Sequence, residues 1–371
     1  MNQVSPKVGV KIDSIDVSAF TIPTDAPESD GTFEWSSTTV VAVEASAAGK
    51  RGLGVTYAGT SSAYLIRDKL ADVVTGRDAM NVGASFDAMV QAVRNLGRSG
   101  VASTAISAVD LALWDLKARL LDLPLCVLLG MVRSSVPLYG SGGFTSYAPD
   151  PLVAQLGGWA EQGFGMVKMK IGRDPAVDPE RVRLAREAIG NGVELFVDAN
   201  GAYSRKQALT LAEVFDEQRI SWFEEPVSSD DLDGLRLMRD RAPARIRIAA
   251  GEYGYDIFYF RRMLEHGAVD VLQADATRCG GVTGFLKAAV LCDARSMPLS
   301  AHCGPAMHLH VCCAAPRLEN IEYFHDHARI DGLLFDGAPE PRDGNLTPDL
   351  TRPGMGLELK WPDAEQWQVR L

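Results

Sequence analysis

The sequence predicts an α/β protein: a closed parallel barrel of eight strands, preceded by a smaller α+β domain. Three observations carry this. After Pro137, short β-branched runs alternate with helical segments, a pattern that places helices on a parallel sheet. There are eight such runs, the number that closes a (β/α)8 barrel of about 250 residues. The remaining N-terminal residues of this 371-residue chain read instead as a three-stranded meander followed by helices.

In the first segment, Val8 to Thr21 alternates apolar and polar residues, Thr38 to Ala45 is rich in Val and Thr, and Arg51 to Thr56 follows an Ala-Gly-Lys turn. Pro23 to Gly31, rich in Pro, Asp, Glu, Ser and Gly, is expected to be a loop. Ala105 to Leu121 has the broad apolar face of a packed helix. The barrel strands are expected at Val136–Tyr139, Met166–Ile171, Leu195–Val197, Trp222–Phe223, Ile246–Ala249, Val269–Gln273, Leu299–Ala301 and Ile321–Tyr323. Gly356 to Trp361 is one more apolar run, with no helix expected after it. These readings divide the chain into an N-terminal domain (1–130), a barrel (131–350) and a C-terminal segment (351–371) that returns to the first domain.

Composition narrows the function. A net charge of −11 and a pI near 5.1 give no general attraction for nucleic acid or anionic membrane. An anionic substrate would need a local positive site. The six cysteines include no CxxC pair and make no disulfide framework. Met1 to Lys11 lacks a signal-peptide pattern, and no apolar stretch is long enough to span a membrane. A soluble cytoplasmic protein is expected.

Ionisable residues fall at or just after the strand runs: Lys168 and Lys170, Asp198, Glu224, Glu252, Asp275, His302 and Glu322. From Lys170 the steps are 28, 26, 28, 23, 27 and 20 residues, one βα unit each. In a barrel these strand ends converge on one face. A lone carboxylate after a strand is usually a helix cap, but a charge at each successive strand end is harder to produce by chance. Asp198, Glu224 and Glu252 would repel one another without a cation, and an all-oxygen set favours Mg2+, with Mn2+ as an alternative. A metal-dependent aldose isomerase would want a His among these ligands, and a non-catalytic metal scaffold would have no use for Lys170 or His302.

The residues also resemble a known family. VKMKIG around Met166–Gly172, LFVDANG (195–201), WFEEP (222–226), AAGE (249–252), DATRCGGVTG (275–284), SAH (300–302) and AVDLALWDLKA (108–118) together resemble the mandelate racemase subgroup of the enolase superfamily. The likeness runs from about Val8 to Leu359. It implies a capping domain on a (β/α)7β TIM-type barrel, and Asp198, Glu224 and Glu252 as Mg2+ ligands, with Glu225 beside them. It implies Lys170 and His302 as opposed bases, Asp275 as the partner of His302, and Glu322 as a hydrogen-bond donor to a substrate carboxylate. Lys168 and Asn200 match substrate-contacting positions. A homo-oligomer is implied, an octamer in its fullest form.

The shared chemistry is removal of a proton beside a carboxylate through an enediolate, whose charge needs stabilising. A base must be neutral, so Lys168 is expected to lower the pKa of Lys170, and carboxylate crowding to raise that of Glu322. Substrate choice is expected in the capping loops Pro23–Phe33 and Tyr57–Tyr64, with Tyr57 in contact with substrate. Their polar residues favour dehydration of an acid sugar to a 2-keto-3-deoxy acid over racemisation or epimerisation of a 2-hydroxy acid. His325, Asp326 and His327 are expected in a loop. His308 and His310, two apart on a helix, cannot chelate together.

Overall fold

A computed structural model describes residues 9–371. Val8, where the first strand was expected to begin, lies outside the described residues. The meander is formed by β1 (Ser14–Ser29), β2 (Glu34–Ala47) and β3 (Lys50–Tyr57), all antiparallel. Most of the stretch expected as a loop from Pro23 belongs to β1. The ladder is irregular between Pro23 and Glu28, then resumes with Glu28 opposite Trp35. Pairing resumes there because the buried Glu28 carboxylate accepts the Trp35 indole N–H at 2.7 Å. Proline and acidic residues signal a turn, but a bulge absorbs the proline without ending the strand.

The helix Val101–Leu120 lies against β3. Its approach depends on Gly52 and Gly54, alternate residues on one face of β3. A Cβ on Gly54 would lie 2.1 Å from the Ala108 carbonyl oxygen. Buried Asp115 on this helix accepts from Leu53 N (2.8 Å), Met355 N (2.5 Å) and Arg119 Nε (2.7 Å). One carboxylate thus joins helix, sheet and C-terminal segment.

The barrel consists of β4 (Val136–Gly142), β5 (Met166–Lys170), β6 (Glu194–Asp198), β7 (Ile220–Glu224), β8 (Arg247–Ala250), β9 (Val271–Ala274), β10 (Leu299–Ala301) and β11 (Leu318–Phe324). Neighbours are parallel in chain order, and β11 pairs with β4 to close the ring. Outward residues such as Val167, Val197 and Phe223 pack on the helices. Inward, Tyr139, Phe196, Trp222, Ala249 and Val271 make a separate stack, with Phe196 and Trp222 face to face at 4.9 Å. This apolar floor closes the barrel below the charged strand ends.

The C-terminal residues form β12 (Phe335–Asp336), β13 (Asn345–Leu346), β14 (Glu358–Leu359) and β15 (Gln368–Val369). β15 pairs with β1, so the tail returns to the first sheet. A single helical turn, Trp361–Ala364, follows the last apolar run, where no helix was expected, with Pro362 in its first turn. His325, Asp326 and His327 also differ from expectation. They open the helix His325–Leu334 directly after β11, without a loop. Among the described residues no helix is long and apolar enough to cross a membrane.

Replacing Gly54 by Ala should lower unfolding stability by about 2 kcal/mol, because the clash is with backbone and not with a flexible side chain. Urea denaturation of the two proteins measures this.

Candidate active site

Strand register builds the site. Lys170 on β5 lies opposite Asp198 on β6, and Asp198 opposite Glu224 on β7. Glu252 follows β8 by two residues. Alternate residues share a face, so Lys168 and Lys170 both point into the barrel mouth. Lys168 Nζ lies 2.5 Å from Glu224 Oε1, 2.9 Å from Glu322 Oε1 and 3.7 Å from Asp198 Oδ2. Lys170 Nζ lies 2.5 Å from Asp198 Oδ2. Oxygens of Asp198, Glu224 and Glu252 all lie within 4.8 Å of one another. The set is oxygen-only, and Glu252 Oε2 is buried with no hydrogen-bond partner. These donors fit a hard divalent cation.

The second basic group sits on the far side of the ring. His302, just after β10, places Nδ1 2.9 Å from Asp275 Oδ2 and Nε2 3.4 Å from Glu252 Oε2. Asp275 is itself fixed by Thr277 N at 2.7 Å. His308 braces the same turn: its Nε2 accepts from Ala276 N at 2.7 Å, so the ring proton is on Nδ1, which donates to the Gly304 carbonyl at 2.9 Å. His310 accepts instead from Cys126 N, on a different side of the helix.

Charge balance departs from expectation at two groups. Burial and Lys168 oppose the charge on Lys170, yet Asp198 together with Glu322 and Glu252 outweighs them, and the lysine pKa rises. Burial likewise favours a neutral Glu322. Lys168 overrides it, helped by His302, Lys170 and a 2.6 Å hydrogen bond from Ser141 Oγ, and the pKa falls well below the ordinary range. Glu322 is therefore a carboxylate here and not the expected acid, and its Oε2 also accepts from Cys303 N at 3.1 Å. Burial pushes Glu224 up against the pull of Lys168, and it pushes Glu225 up with the help of Glu252. Asp275 is held low against burial, chiefly by the His302 hydrogen bond.

A cavity of about 480 Å3 lies between the barrel mouth and the first domain. Lys170, Asn200, Glu252 and His302 border it from below, and Phe33, Trp35, Thr38 and Tyr57 from above. Lys168, Glu224 and Glu322 lie beneath this wall, and Asp275 behind His302. Tyr57 borders the cavity with its ring, stacked on His327 at 3.5 Å, while its hydroxyl donates to Asp331 at 2.8 Å. The expected polar lining is largely not available. Glu28 and Ser29 are buried away from the cavity, and from Thr60 the second loop is already helix. Thr38 donates to Asp326, Thr39 bonds Thr21, and Asp30 Oδ1 accepts from Thr32 and Phe33 N. The cap lines the cavity with Asp30, Thr32, Ser37, Thr38 and Thr39 and with an aromatic pair, Phe33 stacked on Trp35, with Phe324 nearby.

Sequence reasoning passed over Arg278 and Cys303 and expected His327 only in a loop, and all three border this cavity. Arg278 lies inside DATRCGG and donates to the Glu252 carbonyl at 3.2 Å. Cys303 directly follows His302, with Sγ 3.1 Å from its Nε2. For Arg278 the available signal was its place in that stretch, and for Cys303 only its adjacency to His302. His327 carried none beyond following a strand.

Residues 17–130 match the family described as mandelate racemase/muconate lactonizing enzyme, N-terminal domain, and residues 152–364 the family described as enolase C-terminal domain-like. The chain belongs to the mandelate racemase/muconate lactonizing enzyme family of the enolase superfamily. A mandelate racemase/muconate lactonizing enzyme-like protein from Rubrobacter xylanophilus is 54% identical, with a TM-score of 0.95 over 97% of this chain and 100% of that one. A racemase from Streptomyces coelicolor with bound magnesium is 28% identical, with a TM-score of 0.91 over 96% of this chain and 100% of that one. The L-talarate/galactarate dehydratase of Salmonella typhimurium is 33% identical over 324 residues, 86% of this chain and 79% of the relative. In family terms, β1–β3 and their helices form the capping domain over the barrel.

The cap meets the barrel at a titrating group. Burial pushes Asp331 up to about 7, although the Tyr57 hydroxyl and Ala306 N–H favour its charged form. A raised carboxyl pKa means that the folded protein binds the proton more tightly. The resulting stability is present at pH 4 and is lost as pH rises through about 7. Asp331→Asn should flatten that fall, as read from urea midpoints between pH 4 and pH 8.

Proposed function

We propose that this protein is a Mg2+-dependent acid sugar dehydratase. It would remove the proton beside a substrate carboxylate and expel the β-hydroxyl to leave a 2-keto-3-deoxy acid. The observation that carries this reading is the pair of basic groups, Lys170 and Asp275-braced His302, on nearly opposite strands beside an oxygen-only carboxylate trio. The dehydratase relative at 33% identity supports it.

Mg2+, or Mn2+ in its place, would be held by Asp198, Glu224 and Glu252 and would supply positive charge to the substrate carboxylate and offset Asp198, whose charge keeps Lys170 protonated. Lys168, charged and buried, would stabilise the enediolate oxygens from beneath. Lys170 Nζ would take the α-proton. His302, its Nδ1 fixed on Asp275, would deliver the Nε2 proton to the departing hydroxyl, which leaves as water. Glu322 would hold Lys168 and the Cys303 turn in place as a carboxylate. Asn200 would contact the substrate. Tyr57 would border it through its ring.

Racemisation or epimerisation of a 2-hydroxy acid is the second reading, through the same residues. The aromatic upper wall of Phe33, Trp35 and Phe324 favours it, since such a wall suits an apolar substituent. The proposal also includes a cytoplasmic location, supported by six buried cysteines, all free. It includes a homo-oligomer, supported by exposed Leu121, Leu123, Val127 and Val132 in one short segment.

The deciding experiment incubates the protein with Mg2+, acid sugars and 2-hydroxy acids in D2O and follows the α-proton by 1H NMR. Loss of that signal with a new 3-deoxy methylene is expected. Exchange with appearance of the epimer would replace dehydration by racemisation, and no exchange with any acid would overturn both. Lys170→Ala and His302→Asn should each lower kcat by about a thousandfold, within the range of general acid–base catalysis.

A further inference from the structure

A second cavity, of about 640 Å3, adjoins the first on the side of β6, β7 and β8. Asn200, Glu225, Ser228, Tyr253, Tyr259 and Thr32 border it, and Asn200, Tyr253 and Thr32 also border the catalytic cavity. The two spaces therefore share a wall.

Unused hydrogen-bonding capacity is concentrated here. Among the described residues, ten buried side-chain polar atoms have no hydrogen-bond partner. Three of them belong to residues of this cavity: Asn200 Oδ1, Glu225 Oε1 and the Tyr259 hydroxyl. A buried polar atom without a partner is costly, and native proteins keep few of them. The catalytic cavity shows the opposite pattern above its floor, where Thr38, Thr39 and Asp30 are already bonded within the protein. A polyhydroxylated chain entering the catalytic cavity would meet aromatic rings above and, to one side, a wall that includes Asn200, Glu225, Ser228 and Tyr259. The side pocket is bordered by amide, carboxyl and hydroxyl side chains, with tyrosine rings to pack on the C–H faces of a sugar chain.

We propose that this side pocket receives the hydroxyl groups of an acid sugar that are remote from the reacting carbon. The proposal rests on the acid-sugar reading above. It makes Glu225 and Tyr259 selectors for a long, hydroxylated substrate chain. Glu225 suits this position because its backbone is left-handed, with φ +38, in the turn that separates it from Glu224. Consecutive glutamates thus serve two different spaces.

The test is equilibrium titration of the Mg2+-loaded His302→Asn protein with six-carbon aldonic and aldaric acids and with three-carbon 2-hydroxy acids. Tyr259→Phe removes one hydroxyl from a residue of the pocket wall, and Ser228→Ala gives an independent second variant on the same wall. Each should weaken six-carbon binding about tenfold and narrow the six- to three-carbon affinity ratio by a similar factor. A merely structural role would weaken both ligand classes together. Unchanged six-carbon affinity in both variants, or equal loss for both classes, would overturn the side pocket and leave the acid-sugar reading standing. No binding of any acid sugar, together with no α-proton exchange by the parent enzyme, would overturn both.

Discussion

Four buried carboxylates and two buried ammonium groups share the mouth of this barrel, and the rest of the site depends on how they compensate one another. Asp198, Glu224, Glu252 and Glu322 could not remain charged together in an apolar interior. Lys168 reaches three of them, and Lys170 closes on Asp198. This arrangement requires parallel register. One residue of slip on β5 would turn both lysines toward the helices and leave the acids unpaired. The floor of Tyr139, Phe196 and Trp222 adds a second requirement. It excludes water from below, and the Trp222 indole N–H bonds Glu224 at 3.0 Å, so the stack also orients a charged group. Lys168 lies over the Tyr139 ring at 5.1 Å, a cation–π contact that stabilises its charge where solvent cannot.

The cap is fastened to the barrel by partly buried polar contacts. Thr38 bonds Asp326, Tyr57 bonds Asp331, Trp114 and Asp110 both bond Thr283, and Ser29 bonds Thr145. Each joins the first domain to a turn or helix near the strand ends. This explains why the cap presents few free hydroxyls to the cavity. Its polar residues hold the roof on, and its aromatic residues face the space below.

This division also marks what the sequence could and could not reveal. The strand-end charges were legible because barrel topology converts a spacing of one βα unit into proximity, whatever the loops do. Glu322 shows the limit. Its place at a strand end could be read, but its charge state depends on which neighbour lies nearest. Crowding by carboxylates argues for protonation, whereas Lys168 at 2.9 Å decides for the anion. The same holds for Lys170, where Asp198 outweighs Lys168. The capping loops were the least legible. Asp30 and Tyr57 look available for substrate in sequence, and only the fold shows that Asp30 Oδ1 and the Tyr57 hydroxyl have internal partners. The stretch from Pro23 failed for a related reason: the buried Glu28–Trp35 bond that keeps it in the sheet joins residues on two different strands.

Asn200 connects the two levels of the site. Its backbone is left-handed, with φ +46, and its N–H bonds Asp198 Oδ1 at 2.8 Å. Its side-chain oxygen is buried without a protein partner, and the residue borders both cavities. One residue therefore orients a member of the carboxylate trio through its main chain and faces the substrate space through its side chain. A shift at either end would reach the other through a single peptide unit. Reacting groups on rigid strand ends and selecting groups on the turns beyond them are thus geometrically coupled here, and exchange of the outer turns alone would disturb the alignment of Asp198.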